Sequence, residues 1–145
     1  MRELFEEQLL LLNQELTEMG SLCEEIISLA TQALGSYTKE LGEKVSKVGA
    51  KIDEEERTIE TICMRLLLRQ QPVASDLRFI SAAMKVVTDV ERIGDHAADI
   101  AEIVPHLAGV RKAGAPAVSR SIEMGRKAHK MLQDAMSAFA AEDEA

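Results

Sequence analysis

The segment from Thr88 to Glu102 reads T-D-V-E-R-I-G-D-H-A-A-D-I-A-E. At about 100° per residue, its apolar side chains and those just beyond it fall within about 80° of one another; they are Val90, Ile93, Ala97, Ile100 and Val104. Carboxylates occupy the other side of the helical wheel, at Glu91, Asp95, Glu102 and, less closely aligned, Asp99. The segment is therefore predicted to form a helix with one core-facing side and one acidic side.

The same apolar period extends outward along the chain and predicts three further helices. The four predicted helices cover roughly residues 3–34, 39–70, 72–104 and 117–141. Gly35 lies where the first helix ends, as glycine often does just past a helix terminus. The pair Gln71-Pro72 ends the second helix, because proline pushes the preceding residue out of the helical region. Proline also suits the first position of the third helix.

Composition supports an all-α fold. The 145 residues are 46% apolar and 29% charged, with only 3% aromatic residues and three prolines, so strand formers and helix breakers are scarce. We expect residues 1–108 to form an antiparallel three-helix bundle, because tight turns join the three helices. Residues 109–116 are expected to be a linker, and residues 117–145 a helix outside that bundle.

The fourth helix resembles the first when the sequence is shifted by 105 positions. The shift places Glu18-Met19-Gly20 on Glu123-Met124-Gly125, and it also aligns a series of apolar positions: Ile26 with Met131, Ile27 with Leu132, Ala30 with Ala135, Ala33 with Ala138, and Leu34 with Phe139. Two amphipathic helices can agree in this way by chance. We favour the other interpretation, in which residue 117 begins a second, incomplete copy of the bundle. The apolar face of this helix then predicts self-association.

Charge and cysteine content exclude several classes of protein. The formal net charge of −8 argues against nucleic-acid binding, which requires a cationic face. Cys23 and Cys63 lie apart within apolar patterns and are expected to be buried thiols. The N-terminus is acidic and the longest apolar run is short, so we expect neither a signal peptide nor a membrane span. The sequence predicts a cytoplasmic protein.

The acidic face of the third helix is a candidate cation site. Residues four apart on a helix lie about 5–6 Å from each other, so Glu91 and Asp95 could bind one ion together. On the second helix, Asp53, Glu56 and Glu60 share one face, and antiparallel packing brings the two faces toward a shared groove. Oxygen ligands suit Mg²⁺, Ca²⁺ and Mn²⁺ and are accepted by iron and zinc. The alternative is a solvated acidic face that binds no metal.

The segments Arg69–Arg78 (R-Q-Q-P-V-A-S-D-L-R) and Asp89–Glu102 (D-V-E-R-I-G-D-H-A-A-D-I-A-E) resemble the characteristic region of the PhoU family of phosphate-uptake regulators. The resemblance implies two three-helix bundles in tandem, with acidic E/D-x-x-x-D patterns that bind metal clusters. Glu91 and Asp95 match that pattern on the third helix, and Asp53 matches its second acidic position on the second. The first acidic position falls on Gly49, so the resemblance implies a reduced metal site.

Taken together, the acidic face and the resemblance predict a site for Fe, Mn, Zn or Mg formed by Glu91, Asp95 and Asp53, with Asp99 and Glu102 as further ligands. The resemblance also implies a regulator that is not an enzyme and that binds the ATPase subunit of a phosphate transporter and a sensor histidine kinase, reaching the membrane only through these partners. One alternative is an accessory domain of another transporter. Another is a ferritin-like di-metal enzyme, which the absence of any E-x-x-H motif disfavours.

Overall fold

The computed structural model describes residues 2–69, 72–107 and 115–144. Along the chain, the elements are α1 (Arg2–Gly35), α2 (Lys39–Arg69), α3 (Ala74–Ile103), a short 3-10 helix (Val104–Leu107) and α4 (Ala115–Glu144). Helices α1, α2 and α3 all pack against one another, whereas α4 packs mainly against α1. The all-α prediction is confirmed.

Three predicted helix boundaries need correction. Gly35 is the last residue of α1 rather than a left-handed residue beyond it, and no described glycine has a positive φ. Pro72 precedes α3, whose N-cap is Val73. Helix α4 begins at Ala115, so the predicted linker is wrong at residues 115 and 116. Pro116 is compatible with this start, because first-turn N–H groups have no helical acceptor. The predictions at residues 70–71 and 109–114 lie outside the described residues.

The core of the bundle lies between α1, α2 and α3. Its largest fully buried side chains include Leu16, Ile26, Ile52, Ile59 and Ile80. Both cysteines are buried, as predicted, and the Cys23 thiol donates a hydrogen bond to the Val90 carbonyl oxygen at 3.5 Å. Burial raises the pKa of Cys23 to about 12 and that of Cys63 to about 11, so both remain unreactive thiols.

The apolar side of α3 is rotated relative to the predicted one. Ile93 and Ile100 are 37% and 44% exposed, although their spacing placed them with Val90 and Ala97. The small residues Gly94 and Ala101 are buried instead, because they let α2 approach closely. As a result, Glu91 and Asp95 of α3 do not lie opposite the core, as predicted. They lie at the edge of the buried side, next to α2.

The contact between α1 and α4 is symmetric under the 105-residue shift. A Cβ atom built on Gly20 would lie 2.9 Å from Met136 Cε, and one built on Gly125 would lie 2.5 Å from Thr31 Oγ1. The shift maps Gly20 onto Gly125 and Thr31 onto Met136, so each contact is mapped onto the other. The two helices are therefore antiparallel around a pseudo-twofold axis and are held close by one glycine each.

Substitution of Gly125 tests that close approach. Gly125→Ala is expected to lower the free energy of unfolding by about 1–3 kcal/mol, because the new methyl group meets the Thr31 hydroxyl, which is already bonded to the Ile27 carbonyl at 2.8 Å. The matched control is Gly49→Ala, whose Cβ meets only Ile26 Cδ1 at 3.8 Å. That variant should gain up to about 1 kcal/mol from helix propensity. Urea denaturation followed by circular dichroism measures both, and a Gly125 variant as stable as the control would contradict the close contact.

A second group of carboxylates lies between α1 and α2. The Oε2 atom of Glu55 is buried at this interface. Burial, followed by the hydrogen bond and charge of Glu15, raises the pKa of Glu55 to about 7. Glu55 is therefore largely protonated below pH 7, which reduces the repulsion between the two helices.

Candidate metal centre

Packing between α2 and α3 sets the level at which their acidic residues meet. The two helices are antiparallel, and a Cβ atom on Gly94 would lie 3.1 Å from Ile52 Cδ1. The missing side chain at Gly94 lets Ile52 fill the space between the helices. Because Asp53 follows Ile52 and Asp95 follows Gly94, this apolar contact places the two carboxylates side by side at the groove.

Three carboxylates form the centre of the site. Asp53, Glu91 and Asp95 each place one oxygen within 4.8 Å of the others; Asp53 and Asp95 are exposed, and Glu91 is partly buried. Oxygens that bind one hard cation at about 2.0–2.6 Å lie no more than about 5 Å apart. The spacing therefore fits a single cation held by one oxygen from each residue. We refer to these three residues as the carboxylate cluster.

The carboxylate cluster is electrostatically unfavourable without a counter-ion. The pKa of Glu91 is raised to about 7, first by a hydrogen bond to Asp95, then by burial and by the charges of Asp95, Glu56 and Asp53. The pKa of Glu56 is also raised, by burial and then by the charges of Glu60, Asp53 and Asp95. A bound proton relieves this repulsion in the absence of metal, and a cation would relieve it more fully.

The other two predicted ligands lie outside the carboxylate cluster. Glu102 lines the groove that continues from Asp53 and Asp95, nearly two helical turns beyond Asp95. Asp99 is exposed and is named neither among the cluster residues nor among those that line the groove. Glu56 was not predicted as a ligand, although the sequence placed it on the acidic face of α2. In the structure its charge helps to raise the pKa of Glu91, so it lies close to the cluster.

The groove beside the cluster has a volume of about 930 Å³ and is open to solvent. Its walls come from α2 and α3, and small residues line its middle: Gly49, Ala50, Ala98 and Ala101. Gly49 lies one turn before Asp53 on the same flank of α2. A Cβ atom there would meet only Ile26 Cδ1 at 3.8 Å, so the position has room for a carboxylate.

Histidine and cysteine do not contribute to the cluster. His96 lines a separate cleft between α1, α3 and α4. Both cysteines are enclosed in the core. The candidate ligands are thus all oxygens, a set that favours hard cations and is also accepted by iron and zinc.

Comparison with known proteins identifies the class. The described residues form an all-α bundle with a carboxylate cluster at the groove between its second and third helices. Residues 16–104 match the PhoU domain, which covers more than half of the chain. The chain belongs to the PhoU family.

Curated relatives extend the comparison through α4. The chain is 38% identical over 139 residues to the phosphate-specific transport system accessory protein PhoU homolog of Clostridium acetobutylicum, covering 95% of this chain and 63% of the relative. It is 37% identical over 135 residues to the homolog of Synechocystis, covering 93% and 59%. The Pseudomonas aeruginosa homolog is 42% identical over 91 residues, covering 61% and 36%. By name these relatives are accessory proteins of phosphate-specific transport systems.

The chain spans about three fifths of the length of the first two relatives. No solved structure matches the chain. In the part of the chain that the structure describes, no helix has both the length and the apolar character needed to cross a membrane.

Proposed function

We propose that this chain regulates phosphate uptake and phosphate signalling by binding the ATPase subunit of a phosphate transporter and its sensor histidine kinase in the cytoplasm. The observation that carries the proposal is the match to the PhoU domain over residues 16–104. The relatives at 37% and 38% identity are named as accessory proteins of phosphate-specific transport, which supports the proposal. In this proposal the chain acts by contact, and it reaches the membrane only through its partners.

The carboxylate cluster is proposed to hold a metal ion, with Fe, Mn, Zn and Mg as candidates. Asp53, Glu91 and Asp95 are the direct ligands in this proposal, and Glu56 is the nearest additional carboxylate. Glu102 and Asp99 are not among the three carboxylates whose oxygens lie within 4.8 Å of one another, and they are proposed as outer residues of the site. Glu102 lines the groove, where it can bind a metal-bound water or a second ion. The charge and hydrogen bonding that raise the pKa of Glu91 support this assignment.

A bound ion would join α2 to α3 at the surface. The cluster draws ligands from both helices, so an ion there would cross-link them and fix the shape of the adjoining groove. Loss of the ion would restore carboxylate repulsion at the same place. The metal is therefore proposed to be structural, stabilising a surface that partners contact, with no catalytic step.

Helix α4 is proposed to be the first helix of a second repeat. The symmetric contacts of Gly20 with Met136 and of Gly125 with Thr31 support this interpretation. The greater length of the relatives also supports it, since their alignment with this chain includes α4.

Two other functions account for fewer observations. An accessory domain of a different transporter would have the same cluster, so only partner binding separates it from the proposal. A di-metal enzyme of the ferritin-like class encloses its carboxylates within a four-helix core. Here Asp53 and Asp95 are exposed at a groove, which disfavours an enzyme.

Binding to purified partners tests the proposed function. The tagged chain is expected to retain the ATPase subunit and the kinase's cytoplasmic region, and to retain less of each when Asp53 is changed to Asn, because the groove surface loses its metal. Asp76→Asn, which removes a charge from the first turn of α3, should retain both. Retention of neither partner by the unaltered chain would contradict the proposal, and retention of an unrelated transporter's subunit in their place would favour the accessory-domain alternative.

A further inference from the structure

Four large apolar side chains are exposed around the turn from α2 to α3. They lie near the end of α2 and at the start of α3, and each is between 45% and 79% exposed: Met64, Leu68, Val73 and Leu77. The core sides of the same helices are buried there, at Leu66 and Ile80. The four exposed residues, which we name the hairpin patch, therefore lie outside the core of the bundle. A contiguous exposed apolar patch marks an interaction site.

The hairpin patch lies on the flank of the bundle that carries the carboxylate cluster. Leu77 precedes Asp95 by 18 residues, which is five full turns, so the two side chains leave α3 in the same direction. Met64 follows Asp53 by 11 residues on α2, which brings their directions within about 20° of each other. The other two members of the patch lie about one turn from these residues, toward the turn of the hairpin. The four side chains thus share one side of the hairpin at its end.

Helix α4 leaves this flank uncovered. It packs mainly against α1. It also contacts α3 at Phe79, whose ring stacks on that of Phe139 with centroids 5.7 Å apart. Phe79 is two residues from Leu77, and two residues turn a helix by about 200°. The contact with α4 is therefore on the other side of α3 from the hairpin patch.

The hairpin is the cationic part of an acidic chain. Residues 61–88 carry four basic residues and one acidic residue, a net charge of +3, whereas the whole chain carries −8, which leaves −11 for the other residues. The charged residues of the hairpin are Arg65, Arg69, Arg78, Lys85 and Asp76. Arg65, Arg78 and Lys85 are exposed, and within the described ranges none of the three forms an ion pair. They are available to an acidic partner, which the rest of the chain repels.

The arrangement favours a helix of another protein over a lipid surface. The hairpin patch extends along the side of the hairpin for about 10 Å, or two turns of a helix, so a flat surface must lie along that side to cover it. A membrane in that position would also meet Glu60, about one turn before Met64, and then the exposed Asp53. Anionic lipid repels both carboxylates. A partner helix of a few turns can cover the patch and end before Glu60.

We propose that the hairpin patch docks an amphipathic helix of a partner protein that carries carboxylates beside its apolar side. The apolar side packs on Met64 and Leu77, and methionine adapts to its shape. The carboxylates pair with Arg65, which is three residues before Leu68 and so lies beside it, and with Arg78, which follows Leu77. The proposal names a surface and the chemistry of its partner, and it depends on neither the carboxylate cluster nor phosphate regulation.

Two synthetic peptides of about 18 residues, long enough for five helical turns, test the surface. Both carry leucine on one side of the helix; one has glutamate and the other has lysine along the edges of that side. Amide shifts in NMR spectra of the isotope-labelled chain, recorded without metal, locate each peptide. The glutamate peptide is expected to shift amides of residues 61–69 and 74–85, and the lysine peptide amides beside the acidic faces instead. A glutamate peptide that shifts no amide at about 1 mM, or only amides elsewhere, overturns the proposal.

Substitutions on the hairpin patch measure its contribution. Met64→Asp and Leu77→Asp should each raise the dissociation constant of the glutamate peptide at least about tenfold, because each places a carboxylate within the apolar contact. Leu10→Asp is the matched control, since Leu10 is 60% exposed on α1, and it should leave the constant unchanged. Arg65→Glu with Arg78→Glu should transfer binding at the hairpin from the glutamate peptide to the lysine peptide. Equal constants for the patch variants and the control would contradict the proposal. All these positions are exposed, so the variants are expected to fold.

Vesicles that contain phosphatidylglycerol distinguish a lipid surface from a protein. The unaltered chain should remain in solution when the vesicles are sedimented. Vesicle binding that is lost in the Leu77→Asp variant would assign the hairpin patch to the membrane and overturn the proposal. Neither probe involves a phosphate transporter or a kinase, so a failure here leaves the proposed function standing, and a failure to retain those partners leaves the hairpin patch unaffected.

Discussion

A variant with both Glu91→Gln and Asp95→Asn is expected to bind its metal at least about 100-fold more weakly than the unaltered chain. Loss of an outer-shell partner alone costs about 10–100-fold, and this variant loses two of three direct ligands. The amide side chains keep the shape of the groove but carry no charge. Metal content after equilibration with Fe, Mn or Zn, measured by mass spectrometry, gives the comparison.

The same variant is expected to be slightly more stable than the unaltered chain when metal is absent. Its substitutions remove a like-charge pair spaced four residues apart, and they remove the repulsion that raises the pKa of Glu91. Metal should then raise the melting temperature of the unaltered chain only. Opposite effects on metal binding and on metal-free stability cannot arise from misfolding.

Two comparison variants make the test specific. Asp99→Asn with Glu102→Gln removes the same number of charges from the same helix, outside the carboxylate cluster, and should retain most of the metal. Gly49→Asp adds a carboxylate one turn before Asp53, in a position with room for it, and should tighten binding. Equal metal content in the unaltered chain and the Glu91/Asp95 variant would contradict the site. Equal loss in both double variants would indicate a diffuse acidic surface.

Truncation of Ile52 is expected to give the largest loss of stability. Ile52→Ala should lower the free energy of unfolding by about 2–5 kcal/mol, because Ile52 is fully buried and fills the space left by Gly94 between α2 and α3. Urea denaturation measures the change, and Leu68→Ala is the control on the same helix, since Leu68 is 79% exposed. The control should stay within about 0.5 kcal/mol of the unaltered chain. Similar losses in both variants would contradict the packing at Gly94.

The sequence determined the helices and most of the core. In a chain poor in strand formers and breakers, the three- and four-residue apolar period located all four helices, and most of their bounds lie within two residues of the observed ones. On α2, residues at this spacing lie in the core, among them Val45, Val48, Ile52 and Ile59. Local spacing sufficed here because an amphipathic helix can bury only one side. The membership of the PhoU family also followed from local sequence, since its characteristic segments are contiguous.

Boundaries and the rotation of α3 depended on tertiary contacts. Gly35 and Pro72 indicate a helix boundary only to within one or two residues. The observed end of α1 and start of α3 differ from the predicted ones by that amount. Ile93 was predicted to face the core because its side chain is hydrophobic, whereas the spacing made no prediction for Gly94. In the structure, the close approach of α2 buries the glycine and leaves the isoleucine at an open cleft. No periodicity within one helix contains that information.

For the carboxylate cluster too, the sequence determined one part of the arrangement and the packing of the helices determined the rest. The sequence determined that Glu91 and Asp95 share one side of a helix, because a spacing of four residues fixes their direction. It also placed Asp53 on a facing acidic side, but it did not determine the level at which the two sides meet. Only the packing of Ile52 against Gly94 decided that Asp53 joins the pair and that Asp99 does not. The physical reason is that helical geometry determines which residues share a face, whereas the meeting of two helices depends on the shapes that interlock between them.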